Sequence, residues 1–178
     1  LYVDHDLTVT AGTLDLGVQD LTVTADVTVN GSTGFLDLSD VDCDVGIGGN
    51  VSVSSGTLSA PAVADNASFK VGGSWEVSGT GVFTPNGGRV VLDATDADNT
   101  ITTSSSGADD FYQLTVMGES GAWTLEDALT VTSDLVVTNG TLDAAANALV
   151  VTGHLTIDGG TLDGSDSGCD LDVRGNLS

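Results

Sequence analysis

The sequence predicts an all-β fold: a right-handed parallel β-helix (β-solenoid) with three short strands per coil of about 20–24 residues and eight to nine coils, forming one continuous solenoid over residues 1–178. Three observations predict it. The composition is stripped of helix formers, the chain repeats itself at two periods, and apolar residues alternate with polar ones at period two.

The composition also narrows the function. The 26 acidic side chains face only 3 basic ones, a formal charge of −23. Only Glu76, Glu119 and Glu126 are glutamates, so 23 of the acids are aspartates, and Lys70 is the only lysine. A field this negative repels phosphate backbones and anionic lipid, which argues against nucleic-acid binding and attachment to acidic membrane surfaces. Regularly spaced hydrophobic residues, 40% of the chain, argue against disorder. No apolar run approaches the ~18 residues of a membrane span. The chain opens at Leu1 and stops at Ser178 inside strand-like patterns, which reads as a piece processed or excised from a longer protein.

The long period comes from sliding the chain against itself by 128 residues. Leu1, Val3, Leu7, Val9, Gly12, Leu14 and Asp15 fall on Leu129, Val131, Leu135, Val137, Gly140, Leu142 and Asp143. After a two-residue slip, Cys43, Asp44, Gly49, Asn50 and Ser52 fall on Cys169, Asp170, Gly175, Asn176 and Ser178. Residues 1–128 thus form one super-repeat and residues 129–178 the start of the next. Inside it runs a shorter period. Related segments start at Leu1, Leu21, Val45 and Phe69, separated by 20, 24 and 24 residues, and again at Leu129, Leu149 and Leu171.

Each short unit reads apolar-x-apolar-x, a two-residue corner, apolar-x-apolar-x, a Gly-Thr corner, Leu, then a variable loop. The first corner carries Asp6, Asp26, Asn50, Asp134, His154 or Asn176, types that tolerate left-handed or turn geometry. The second carries Gly12, Gly56, Gly140 and Gly160, where positive φ costs least. Strands that alternate inward Leu and Val with outward Thr, Asp and Ser bury one face only. A lone coil has nothing to bury it against, so coils must stack, at ~4.8 Å each, into a rod of about 40 Å.

The stretch from Gly88 to Trp123 departs from the template, yet Val90, Leu92, Ile101, Leu114, Val116, Trp123 and Leu125 keep inward parity around the polar loop from Thr102 to Asp110. That loop, with GSWEVSGTGVF before it and FYQLTV (Phe111 to Val116) after it, resembles repeats of large exported bacterial and archaeal surface proteins, the adhesin and autotransporter-passenger type. The resemblance covers most of the chain. It implies a right-handed β-helix and supplies no catalytic residue.

Asp40, Asp42 and Asp44 alternate with Val41, Cys43 and Val45, so the three carboxylates share an outer face; Asp166, Asp170 and Asp172 form the related cluster in the second copy. Calcium is the metal that suits such oxygens. Neither an EF-hand spacing nor the nine-residue repeat of calcium-loaded β-rolls is present, and a solvated acidic surface is the competing reading. Cys43 and Cys169 have inward parity and lie ~29 Å apart along the axis, too far for a disulfide. His5 and His154 read as corner filler. The Thr-x-Thr pairs at Thr8, Thr22, Thr100 and Thr130 hint at an ice-binding face, but Gly46/Gly48, Lys70/Gly72 and Asp172/Arg174 break the rows.

The expected function is therefore non-enzymatic: a structural segment of an extracellular or cell-surface repeat protein (fibre, stalk, surface layer or adhesin) that assembles by coil stacking and lateral packing. Its partners would be copies of itself, neighbouring repeats, or a cell-surface glycan, and no cofactor is required beyond the calcium already considered. The alternatives are a polysaccharide-acting β-helix enzyme, which would show two carboxylates ~5–9 Å apart in a groove, and a calcium- or ice-binding solenoid surface.

Overall fold

The structure, a computed structural model, describes residues 1–40, 43–62, 69–103 and 111–178. Among them there is no helix, and every strand pairing is parallel. The chain is a parallel β-solenoid. Its first four windings each contribute a short strand and a long one: β1 (Tyr2–Val3) and β2 (Leu7–Asp15), β3 (Leu21–Val23) and β4 (Val27–Asp37), β5 (Val45–Ile47) and β6 (Val51–Ser59), β7 (Phe69–Val71) and β8 (Trp75–Thr84). Next come β9 (Arg89–Leu92), β10 (Asn99–Thr102), β11 (Gln113–Val116) and β12 (Ala122–Leu125). The remainder is β13 (Leu129–Val131), β14 (Leu135–Val137), β15 (Thr141–Asp143), β16 (Ala148–Val151), β17 (Leu155–Ile157), β18 (Thr161–Asp163) and β19 (Asp170–Val173).

These strands stack into three sheets. Sheet A runs β1-β3-β5-β7-β9-β11-β14-β17, sheet B runs β2-β4-β6-β8-β10-β12-β15-β18, and sheet C holds β13-β16-β19. Sheets A and B are eight strands deep, which makes about seven turns against the eight to nine coils expected. The long strands of the first four windings run through the glycine corner, where the register shifts, and so cover two faces. Phe83 of β8 stacks on Phe111, which bridges to Val131 of β13; sheet C thus continues the face begun by the second halves of the long strands.

The corners differ in cause from the sequence expectation. Gly12, Gly56 and Gly140 have φ of +72°, +82° and +69°, as the template requires, but at the last corner the left-handed residue is Gly159 (φ +95°) rather than Gly160. At Gly56 a Cβ would also strike the carbonyl oxygens of Gly34 and Gly31 in the winding below. The aspartates and asparagines of the first corner are not left-handed at all. Their side chains do a different job, described below.

The core is one apolar column. Leu and Val of the inner windings bury one another, those of the end windings are partly covered, and all seven residues assigned inward parity between Val90 and Leu125 are buried. The irregular middle is filled by aromatics: Trp75 packs on Phe83, Phe111 and Phe69 with ring centroids 4.7, 5.1 and 5.7 Å away, within the range of favourable edge and tilted contacts. Trp123 donates its indole N–H to the carbonyl of Gly73 at 3.0 Å, tying together windings 50 residues apart.

A phase shift accompanies the long repeat. Val3 lies in sheet A but its equivalent Val131 lies in sheet C; Leu7 and Val9 lie in sheet B but Leu135 and Val137 lie in sheet A. Val45–Ile47 belongs to sheet A and its equivalent Leu171–Val173 to sheet C. The second copy is therefore turned by one face relative to the first.

Candidate functional site

The acidic side chains are concentrated where the backbone turns, and the geometry shows what they do there. At the first corner the amide of Asp26 donates to Oδ1 of Asp6 (3.2 Å), that of Asn50 to Oδ1 of Asp26 (2.7 Å), that of Ser74 to Oδ1 of Asn50 (2.7 Å), and that of Thr100 to Oγ of Ser74 (3.0 Å). In the second copy the amide of His154 donates to Oδ1 of Asp134 (2.8 Å) and that of Asn176 to Nδ1 of His154 (3.0 Å). Each corner side chain thus accepts the amide one winding above it. His154 is a rung of this ladder, and its Nδ1 must carry a free lone pair to serve.

A second group closes the loops after the third face. The carboxylates of Asp15, Asp37, Asp143 and Asp163 accept the amides two residues on, from Gly17 (2.8 Å), Ser39 (3.1 Å), Ala145 (2.7 Å) and Ser165 (3.0 Å). These are Asx turns. They hold Gly17 at φ +53° and its equivalent Ala145 at φ +48°. At Asp163 the Ser165 hydroxyl and amide hold the carboxyl below the usual carboxylate range. A one-carbon stem reaches an amide two residues away or one winding up, which suits aspartate rather than glutamate at these positions. Sequence reasoning missed these turn-closing aspartates; the recurring Leu-Asp that ends the third strand was the available signal.

The residues proposed for calcium lie at exposed positions where they are described. Asp40 and Asp44 are exposed, and the amide of Asp44 donates to Oδ1 of Asp20 at 3.0 Å. Asp42 lies outside the described residues, as do Val41 and the loop from 104 to 110. Asp166, Asp170 and Asp172 are exposed, and Asp172 pairs with Arg174 at 3.0 Å. Among the described residues no three His, Cys, Asp or Glu side chains converge as a metal requires.

Both cysteines are free. Cys43 is buried and donates its thiol to the carbonyl of Gln19 at 3.1 Å. Burial pushes that thiol up from its ordinary value, and the charges of Asp20, Asp44 and Asp40 push the same way. Cys169 is only half-buried.

The outward faces carry shallow hollows. One, of about 530 Å³, lies on sheet A between Thr22, Thr24, Lys70 and Asp93, over the bare Gly46 and Gly48. Burial raises the Asp93 carboxyl, with the Lys70 ammonium opposing that rise. The hollow has one carboxylate. A smaller one of about 300 Å³ on sheet B has Asp26 and Glu76 at its margins, but Asp26 accepts the Asn50 amide and Glu76 accepts the Ser78 hydroxyl at 2.8 Å. Their backbone positions are two windings apart, about 10 Å by strand spacing alone. On sheet B the outward row Thr8, Thr28, Ser52 is broken by the carboxylate of Glu76, and the Thr pairs at Thr22 and Thr130 lie on sheets A and C, so the pairs do not share one face as the sequence reading supposed.

The remaining feature is at the two ends of the column. At the C-terminal end the core opens into an apolar cavity of about 170 Å³ lined by Leu149, Leu155, Leu162, Cys169, Leu171 and Leu177. At the N-terminal end Leu1 and Tyr2 are exposed on the edge of sheet A. Comparison of the chain with protein-family models, with curated proteins and with solved structures gives no match.

Proposed function

We propose that this chain is a non-enzymatic structural segment of an extracellular repeat protein, a fibre, stalk, surface layer or adhesin, that assembles by coil stacking and lateral packing. The observation that supports it most is the interior. Like windings lie on like in one apolar column, and the strand edges at both ends remain able to take another winding. The use of corner and turn aspartates as acceptors for the scaffold's own amides points the same way, because it gives those carboxylates a role in the scaffold without a ligand. No cofactor is needed; calcium would act as a screening cation between acidic surfaces.

The test is sedimentation of the 178-residue chain over a range of concentration and salt. A chain carrying −23 repels its copies at low ionic strength, so association should strengthen as the Debye length falls from ~10 Å at 0.1 M to ~3 Å at 1 M salt. Elongated particles that lengthen with salt support the proposal. A single monomeric species at every concentration and salt overturns it.

A further inference from the structure

We propose that the outer face of sheet A carries a binding site for a small zwitterion, a free α-amino acid, in the hollow between Arg89 and Asp134. The site goes beyond the assembly reading above and does not depend on it.

The scaffold leaves one charge unanswered. In a chain with 26 acidic side chains and 3 basic ones, each cation would be expected to lie against a carboxylate. Arg174 does, at 3.0 Å from Asp172, and the Lys70 ammonium is close enough to act on Asp93. Arg89 does not. No carboxylate among the described residues lies within ion-pair distance of its guanidinium, and its Nε is buried with no acceptor. An N–H of a charged group buried without a partner is costly, so such donors are rare in native folds.

Arg89 also stands where the fold elsewhere places an acceptor. Its position is the residue just before the first inward side chain of a sheet A strand. In that column Asp20 accepts the amide of Asp44, Asp134 that of His154 and His154 that of Asn176, each one winding on. Arginine has donors only. The amide of Gln113, in register with Arg89, is left with the carbonyl of Gly88 at 3.3 Å. An aspartate at position 89 would serve the ladder as its neighbours do, so the scaffold does not account for a guanidinium there.

The hollow beside it has a volume of about 260 Å³ and is lined by Arg89, Gln113, Thr115, Asp134 and Val136, all half-buried. Strand register orders them. Arg89, Gln113 and Asp134 lie side by side on β9, β11 and β14, and Thr115 and Val136 belong to the row beside them. The first row thus offers a guanidinium, a carboxamide and a carboxylate: donors, then a donor and an acceptor together, then acceptors. With Nε enclosed, a ligand would take the terminal N–H groups of Arg89. Asp134 gives Oδ1 to the His154 amide at 2.8 Å, which leaves Oδ2 for a ligand.

The complement of that row is a molecule with a carboxylate at one end and an ammonium at the other. The backbones of Arg89 and Asp134 are about 10 Å apart by strand spacing. A carboxylate and an ammonium on one carbon, each ~2.8 Å from its partner, span about 9 Å. Gln113, between them, can donate to the first and accept from the second. Net charge makes the same choice. A chain at −23 repels a bare anion, and Asp134 repels it again at close range, whereas a zwitterion carries no net charge to be repelled. The small volume limits the rest of the ligand to a short side chain lying over Thr115 and Val136.

Heteronuclear NMR titration of the 178-residue chain tests the site, with L-alanine, acetate, methylammonium and glucuronate as probes at constant ionic strength. Alanine should shift the Gln113 side-chain amide and the backbone amides of β9 and β11 saturably, and the other three probes should bind at least tenfold more weakly. Arg89→Gln should weaken alanine binding at least fivefold, and Arg174→Gln should leave it unchanged. Asp134→Asn keeps an oxygen for the His154 amide and separates the readings by sign: alanine should bind at least fivefold more weakly than to the parent, and acetate more tightly. The same spectra show whether each variant keeps the parent fold. Any of the other three probes matching alanine overturns the assignment to a zwitterion, as does an Asp134→Asn variant that binds alanine like the parent. No saturable shift at Gln113 with any probe overturns the site altogether. None of these outcomes bears on association of the chain, which sedimentation reads separately.

Discussion

Cys43–Ser52 and Cys169–Ser178 are the same winding met twice, once inside the stack and once at its end. Inside, Val45, Ile47 and Val51 are 1%, 3% and 0% exposed; at the end, the equivalents of Val45 and Val51, Leu171 and Leu177, are 46% and 67% exposed. The larger aliphatics at the end are the less buried. The first copy has β7 and β8 above it; the second has no strand above it among the described residues. Burial in this fold is conferred by the next winding and not by a winding's own residues, so the driving force of ~25 cal/mol per Å² of apolar surface is shared property of neighbours.

The sharpest way to break the comparison is to place a charge in each copy. Val51→Asp puts an unpaired carboxylate into the closed column, and we expect loss of more than ~4 kcal/mol, enough to unfold a chain of ordinary stability. Leu177→Asp puts the same carboxylate at the open edge and should cost less than about 0.5 kcal/mol. Urea unfolding followed by circular dichroism reads both. Equal midpoints for the two variants would show that the end winding is covered in solution, or that the column is not the source of stability.

A smaller effect separates two glycines, Gly46 within that winding and Gly56 just after it. Gly56→Ala must hold φ near +82° and drive its Cβ into the carbonyl oxygens of Gly34 and Gly31, for a loss of roughly 2–4 kcal/mol. Gly46 has ordinary φ and no atom within 4 Å of its missing Cβ, so Gly46→Ala should be neutral or raise stability by about 0.4–1 kcal/mol through the unfolded chain. Thermal melts of the two variants should move in opposite directions or differ by at least several degrees.

These glycines also mark how far the sequence could be read. The solenoid was legible because period-two alternation and a 20–24-residue beat admit few other folds, and the inward set from Val90 to Leu125 followed from parity even where the template failed. The phase shift between copies was not, because the alternation is identical on all three faces: Leu-x-Val cannot say whether it belongs to sheet A or sheet C, and only the accumulated loop lengths decide. At the first corner the sequence left left-handed and other turn geometry open, for a related reason. Asp and Asn suit left-handed turns and also accept amides, and composition does not distinguish the two uses; the stacking distance does. Alternation places Asp170 and Asp172 on one outer face, and there Asp172 is paired with the guanidinium of Arg174.

The corner ladder gives the smallest of the effects that the two copies should separate. Asn50 accepts the Ser74 amide from the winding above at 2.7 Å, whereas Asn176, at the same place in the second copy, has no winding above it within the chain. Both side chains are exposed, so water replaces part of what is lost, and Asn50→Ala should cost about 0.5–1.5 kcal/mol. Asn176→Ala should cost nothing measurable in dilute, low-salt solution. Asn50→Asp keeps an acceptor at the same reach, as Asp26 and Asp134 do in their own windings, and should recover most of the loss. The ladder fails as an account of the acidic corners if Asp and Ala prove equally destabilising at position 50, since charge and not acceptor geometry would then be the governing quantity. At high salt the comparison acquires a second edge. A stacked copy would place a winding over Asn176, and its substitution should then begin to weaken association while leaving the stability of the lone chain unchanged.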